Sequence, residues 1–338
     1  MSDHRIGVGI VGYGRVGEGY HAAMAEAVEA FRVAAVCDPA EGRRAVAEAK
    51  HGCRTYADFT KMLEDDDVQL VAICTPPNMH CAQVLAAAQA GKHLIVDKPF
   101  AMNYDEARRM VAAAKEAGVL ITGNQNRRWD SDYLTVRKAF ADGLLGEVYD
   151  RESRWSHFTA DWAGYGVPEF NPRWRVQRAY GGGMVYDYAS HLGDQMLRMV
   201  ESPLVSVYGD LQSRIWSNEV DDHFRAELRF ADKTTAIIEA NNNARRNLPR
   251  WFAIGTAGTL IAPKIGGDEV HVYTDEGEQV LEPVTAPRTI IYDNIAGALL
   301  RGEELLVTPE HLLTTMRLIS MIFLSAESGE VVRVDDME

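Results

Sequence analysis

The stretch RIGVGIVGYGRVG, residues 5–17, limits the fold more than any other part of the chain. An apolar run with no polar face leads directly into Gly12-x-Gly14-x-x-Gly17, and a helical pattern follows through Ala30. A strand buried on both faces belongs in a parallel sheet with helices on either side. The same alternation recurs, with strands expected at 32–38, 68–77, 92–99 and 118–126 and helices at 79–90 and 103–117. Residues 1–124 are therefore expected to form a doubly wound parallel α/β domain.

Beyond residue 125 the periodicity changes. In HFRAELRF (223–230), Phe224, Ala226, Leu228 and Phe230 alternate with His223, Arg225, Glu227 and Arg229, the mark of a half-buried strand. Segments 204–212, 234–242, 250–258 and 268–274 follow the same style and suggest an antiparallel meander. Helices are expected at 290–302 and 309–329, the second entered through Thr308-Pro309, a cap with proline at the first helical position. Residues 125–338 read as a second, α+β domain with a large, mostly antiparallel open sheet.

Glycines that leave a strand and open a helix let the backbone approach a pyrophosphate at the helix N-terminus, the Rossmann arrangement. Asp38 ends the second strand, where an acid receives the adenosine ribose diol and repels a 2′-phosphate. NAD is the expected cofactor. Arg43 and Arg44 nearby leave NADP possible. In such sheets the ligand lies beyond the carboxyl ends of the strands. Two further strand ends point there: CTPPNMH (74–80), with Thr75 and Asn78, and DKPF (97–100), with Lys98 at the mouth of a buried strand. Thr75 and Asn78 also suit an ordinary turn and helix cap, and an isolated exposed lysine is usually solvated.

The net charge of −14 argues against nucleic acid or an anionic membrane as partner. The N-terminus lacks a signal-peptide pattern and no apolar run is long enough to span a bilayer, so a cytoplasmic location is expected. Four cysteines (Cys37, Cys53, Cys74 and Cys81) with no CxxC spacing suit buried thiols; no metal site is expected.

The segment GGGMVYDYASHLGDQ (181–195) places three glycines before a largely apolar helix carrying Asp187 and His191 four positions apart. That spacing puts acid and imidazole on one helix face. The glycines suit a hinge, or a close approach of backbone to ligand. The plain alternative is a local cap and a satisfied core histidine.

GIVGYGRVG, Asp38, CTPPNMH, Asp97–Pro99, NQNRRW (124–129), Trp174–Arg175, GGGMVYDYASHLGD and VTPEHLLTTMRL together resemble the Gfo/Idh/MocA family of NAD(P)-dependent oxidoreductases over nearly the whole chain. Within it, residues 126–139 are similar to the scyllo-inositol dehydrogenase and sugar dehydrogenase branch. The lysine motif departs from the family's commonest form, with aspartate where glutamate is usual. The resemblance implies Lys98, Asp187 and His191 as catalytic residues. It implies Gly12, Tyr13, Gly14, Arg15, Val16, Gly17, Asp38, Thr75, Asn78, His80, Asp97, Lys98, Gln125, Trp174 and Arg175 around the cofactor. It also implies Asn124, Arg127, His157, Asp194 and Tyr292 as contacts to substrate hydroxyls. The expected reaction is hydride transfer between nicotinamide and a secondary alcohol of a cyclic polyol or sugar. Positive charge on the oxidised nicotinamide favours a neutral Lys98 amine, and Asp187 can orient His191. Trp155, Phe158, Trp162, Tyr165, Phe170 and Trp174 offer faces for a sugar, or for a subunit contact. Two other readings stay open: redox-neutral elimination or glycoside hydrolysis with tightly held NAD, and a non-catalytic sensor of dinucleotide or sugar. A homodimer or homotetramer is expected, because one face of the second sheet has too few helices to cover it.

Overall fold

The computed structural model describes residues 5–159 and 169–337. They divide into two compact units, the first within Met1–Asn124, Tyr165–Trp174 and Arg288–Leu313, the second within Gln125–Gly164, Arg175–Pro287 and Thr314–Glu338. A cut at residue 125 thus meets the first boundary, and two later stretches return to the first unit. Trp162 and Tyr165 lie outside the described residues.

The first unit carries a parallel sheet of six strands: β1 (Ile6–Val11), β2 (Phe31–Cys37), β3 (Arg54–Tyr56), β4 (Leu70–Ile73), β5 (His93–Val96) and β6 (Ile121–Gly123). Their order is β3-β2-β1-β4-β5-β6. The chain therefore reverses direction across the sheet between β1 and β4, and a crevice opens beyond the carboxyl ends of those strands. All of β1 and β4 is buried, as an apolar run with no polar face requires. The sequence reading overlooked the helix Glu41–His51 and the short β3. That helix buries only Ala47, so its apolar stripe is too narrow to register as a period.

The second unit carries nine strands: β7 (Val148–Ser156), β8 (Leu204–Gln212), β9 (His223–Phe230), β10 (Thr235–Asn241), β11 (Trp251–Gly255), β12 (Thr259–Ala262), β13 (Val270–Thr274), β14 (Gly277–Leu281) and β15 (Val332–Arg333). The order β14-β13-β12-β11-β7-β10-β9-β8-β15 corrects the expectation of one continuous meander. β7 inserts between β10 and β11, parallel to β10 and antiparallel to β11. Its sequence, VYDRESRWS, hides this because its charges are matched within the sheet: Arg154 meets Glu152 of the same strand and Glu239 of β10, and Ser153 receives the Arg250 guanidinium.

β9 alternates as read, with Phe224, Ala226, Leu228 and Phe230 buried and Arg225, Glu227 and Arg229 exposed. The buried face meets helices. Arg151 lies over the ring of Phe140 in helix Ser131–Ala141, Gly193 in helix Ser190–Met199 packs on Ile238, and Ser325 in helix Pro309–Ser328 receives the Gly209 N–H. Among the described residues no helix is long and apolar enough to cross a membrane.

Candidate active site

The glycine loop closes on itself. Gly12 adopts φ +84°, and a Cβ on Gly17 would stand 2.1 Å from the Gly12 carbonyl oxygen, so neither position tolerates a side chain. Asp38 ties the loop to β2: its Oδ2 accepts from the Tyr13 N–H at 2.8 Å and its Oδ1 from the Ala40 N–H at 2.9 Å. The helix after the loop opens at Arg15 and passes into a π turn, Gly17–Ala22, with the Glu18 N–H donating to the Gly14 carbonyl at 2.9 Å, and the first turn of such a helix presents N–H groups toward an anion. This is a fit for a pyrophosphate. Arg43 stands 3.7 Å from Asp38 Oδ2 and 2.9 Å from Glu169 Oε2, while Arg44 donates to the Asp38 and Pro39 carbonyls. Tyr13 turns its hydroxyl away to His51, at 2.6 Å, and burial pushes that phenol up to about 12.

The loops after β4 and β5 are locked by one histidine. His80 is fully buried, with Nε2 2.8 Å from the Thr75 carbonyl oxygen and Nδ1 3.0 Å from that of Pro99. A neutral His80 donates to one of these carbonyls and packs against the other, standing between the two loops. Thr75 donates its hydroxyl to Gln83 at 2.6 Å, and Asn78 is exposed in the turn Pro77–Met79. Asp97 and Lys98, partly exposed, follow β5 directly.

In the second unit, Asp187 and His191 lie at the junction of a π turn, Val185–Ala189, and the helix Ser190–Met199. The uniform α-helix expected there is therefore corrected. Single π turns inside helices are rare and recur at functional sites. The glycines before it are not a hinge. A Cβ on Gly182 would come within 2.4 Å of the Arg175 carbonyl oxygen, and one on Gly183 within 2.4 Å of Asp221 Oδ1. They admit the chain's own neighbouring segments, and the Asp221 carboxylate accepts the Val185 N–H at 2.8 Å. His191 is buried, whereas the Asp187 carboxylate is partly exposed and 4.0 Å from Arg175 Nε.

Around these residues stands a polar and aromatic wall. The rings of Trp155 and Tyr188 are 5.2 Å apart, Arg127 lies 4.8 Å over Trp155, and His157 is 6.5 Å from Tyr188. Burial lowers the His157 pKa, with the negative charge of Asp187 opposing, so a neutral imidazole is favoured. Tyr188, which the sequence reading overlooked, has its phenol raised by burial. The signal for it was its place one residue after Asp187.

Three residues anticipated as hydroxyl contacts are buried and bonded within the protein. Asp194, 1% exposed, takes Arg128 in a two-pronged pair at 2.6 and 2.7 Å. Tyr292 and Asn124 are buried in the first unit, bonded to His21 and Asp97 respectively. Gln125 is buried too, its backbone carbonyl accepting from the Arg128 N–H. Trp174 and Arg175 form the turn Trp174–Val176, at the boundary between the units' segments.

Comparison with known proteins agrees with this geometry. Residues 6–125 match the model of an oxidoreductase family with an NAD-binding Rossmann fold, and residues 133–261 match the GFO/IDH/MocA C-terminal domain. An uncharacterized oxidoreductase of Escherichia coli, YdgJ, is 32% identical over 288 residues, covering 83% of this chain and 77% of that protein. The scyllo-inositol 2-dehydrogenase (NADP(+)) IolW of Bacillus subtilis is 24% identical, covering 98% and 96%. The structure of an NAD-binding protein from Listeria innocua superposes with a TM-score of 0.86 at 32% identity, covering 97% of each chain. With its parallel dinucleotide sheet, glycine cradle and open second sheet, the chain belongs to the Gfo/Idh/MocA family of NAD(P)-dependent oxidoreductases.

Proposed function

We propose that this oxidoreductase oxidises a secondary hydroxyl of a cyclic polyol or sugar, using Lys98 and His191 as its acid–base groups and Asp187 to orient the imidazole. The reading is carried by the half-buried wall in which Asp187 stands with His157, Tyr188, Trp155 and Arg127, with His191 one helical turn after it. Aromatic faces receive the C–H face of a ring, and neutral His157 both donates to and accepts from hydroxyls. Bound nicotinamide supplies the hydride acceptor; the protein's part is to hold the ring and take the hydroxyl proton. The similarity to a scyllo-inositol dehydrogenase supports a cyclitol or related ring as substrate.

Asp38 favours NAD, because an adjacent carboxylate repels a 2′-phosphate. Arg43, drawn toward Asp38 and Glu169, is the group that would serve NADP. A panel of cyclitols and sugars assayed with NAD and NADP in parallel tests the reading. Net NADH formation with at least one ring polyol, and a kcat/KM about 10- to 100-fold higher with NAD than with NADP, is expected. Turnover without net NADH would replace hydride transfer by a redox-neutral reaction.

A further inference from the structure

Asn124 and Tyr292 belong to a buried chain of hydrogen bonds inside the first unit. Tyr292, with no exposed surface, places its hydroxyl 2.8 Å from His21 Nδ1. The other ring nitrogen of His21 is 3.4 Å from Asn124 Nδ2, and that amide donates to Asp97 Oδ1 at 3.0 Å. The four residues come from four places: the π turn after the glycine loop, the end of β6, the end of β5 and the helix Ile290–Arg301. The backbone holds the same pair together, since the Asn124 N–H donates to the Val96 carbonyl at 2.9 Å.

The donors of the chain run outward from Asn124, to Asp97 on one side and to His21 on the other. Burial pushes His21 down to about 4 against the pull of Asp97, so the ring is neutral. A neutral imidazole has one N–H and one lone pair. With Asn124 donating toward both Asp97 and Nε2, the proton belongs on Nδ1 and points at the Tyr292 oxygen. Asp97 is the charge that the surrounding groups face: Tyr20, His21, Cys74, His80 and Tyr292 all lie within its field, with Lys98 next in sequence. A satisfied core histidine would need no such terminus. Here the chain ends on the carboxylate that precedes the lysine, while His80 fixes the backbone just after it.

We propose that Asn124, His21 and Tyr292 are positioning residues for Lys98: the chain they form fixes the Asp97 carboxylate, and so the position and field in which the neighbouring amine works. It also answers the shortened acid of this chain's D-K-P motif, because the Asn124 amide reaches the aspartate where it stands. The inference rests on the reading of Lys98 as an acid–base group.

The test uses the full-length protein with the polyol found by the panel. Asn124→Ala, His21→Phe and Tyr292→Phe are compared with wild type for kcat, KM, the pH profile of kcat, NAD affinity by fluorescence titration, and Tm. In Asn124→Ala, kcat is expected to fall about 10- to 100-fold with KM and NAD affinity nearly unchanged. Its pH profile moves to higher pH, because Asp97 without its amide donor favours the protonated amine beside it. His21→Phe follows the same pattern. Tyr292→Phe removes one hydroxyl from an otherwise intact ring and gives a smaller loss, about threefold, in the same direction. If Asn124→Ala or His21→Phe does not fold, Tyr292→Phe decides. A lowered Tm with unmoved kcat and pH profile would reduce the chain to core packing and overturn the proposal. Lys98→Ala separates the two levels. A normal kcat there removes the acid–base reading itself, whereas a crippled Lys98→Ala beside unperturbed Asn124 and Tyr292 variants removes only the chain.

Discussion

Asp194 and Lys98 make opposite demands on a substitution. Asp194 and Arg128 are 1% and 8% exposed at the side chain, and Thr315 adds a hydroxyl 3.3 Å from Asp194 Oδ1. Removing the carboxylate strands a buried guanidinium, so Asp194→Ala should lose about 3–5 kcal/mol in denaturant unfolding. Substrate KM in the protein that still folds should hardly change; a large KM effect at intact stability would return Asp194 to the substrate. Lys98→Ala should instead leave stability near wild type, and Lys98→Ala and His191→Ala should each lower kcat by about 10²–10⁴-fold. Their double variant should lose far less than the product, as residues acting on one proton are not additive. Steady-state kinetics of the four proteins checks this. The contrast shows what a linear reading can see. Residue type and spacing singled out Gly12, Gly17 and Asp38 because their role is local and backbone-driven. Asp194 and Tyr292 were named as hydroxyl contacts through the resemblance alone, and nothing in their neighbourhoods reveals Arg128, 66 positions away, or His21, 271 positions away.

Among the elements, the helix bearing Asp187 and His191 depends on Asp221 at its start. Burial raises the Asp221 carboxyl to about 7, against the bonds it receives from Val185 and Met184. The folded protein thus holds this proton more tightly than the unfolded chain, whose aspartate titrates near 3.8. Its contribution to stability is full below pH 4 and is lost as pH rises toward 7. Asp221→Asn retains an acceptor for the Val185 N–H and removes the charge. Thermal unfolding should therefore find the variant more stable than wild type at pH 8, by at least about 1 kcal/mol, with the gap closing toward pH 4. A gap independent of pH would assign the effect to packing. Elements with a clean period were legible: β8 and β9 are found at the residues expected, and Ile290–Arg301 ends one residue early. β7 was not, since a strand whose charges are neutralised by its neighbours carries no amphipathic signal. The π turns were also invisible, because they are too short for a one-residue shift of the period to show.

On the scale of the molecule, the second sheet buries one face and presents on the other Tyr208, Arg225, Glu227, Arg229 and Tyr273, all exposed. We expect a second copy to cover it in a homodimer or homotetramer, through a contact both polar and aromatic. Light scattering at assay concentration should give a multiple of the 37.5 kDa chain, and charge reversal at Arg225 and Arg229 should lower it. A monomer would dismiss the contact. The composition of the first unit has a consequence for synthesis. Thr122 donates to the Val307 carbonyl at 2.7 Å, Tyr292 seats its ring against Phe31, and Leu312 fills the space beside Gly123. On the ribosome, then, the dinucleotide sheet emerges early and waits, its groove unsealed, while nearly two hundred further residues are translated. A nascent chain stopped at residue 124 would expose Phe31 and β6 to whatever apolar surface passes. Chaperone capture and aggregation should therefore fall on the first-made third of the protein, and release should coincide with the appearance of the segment 288–313.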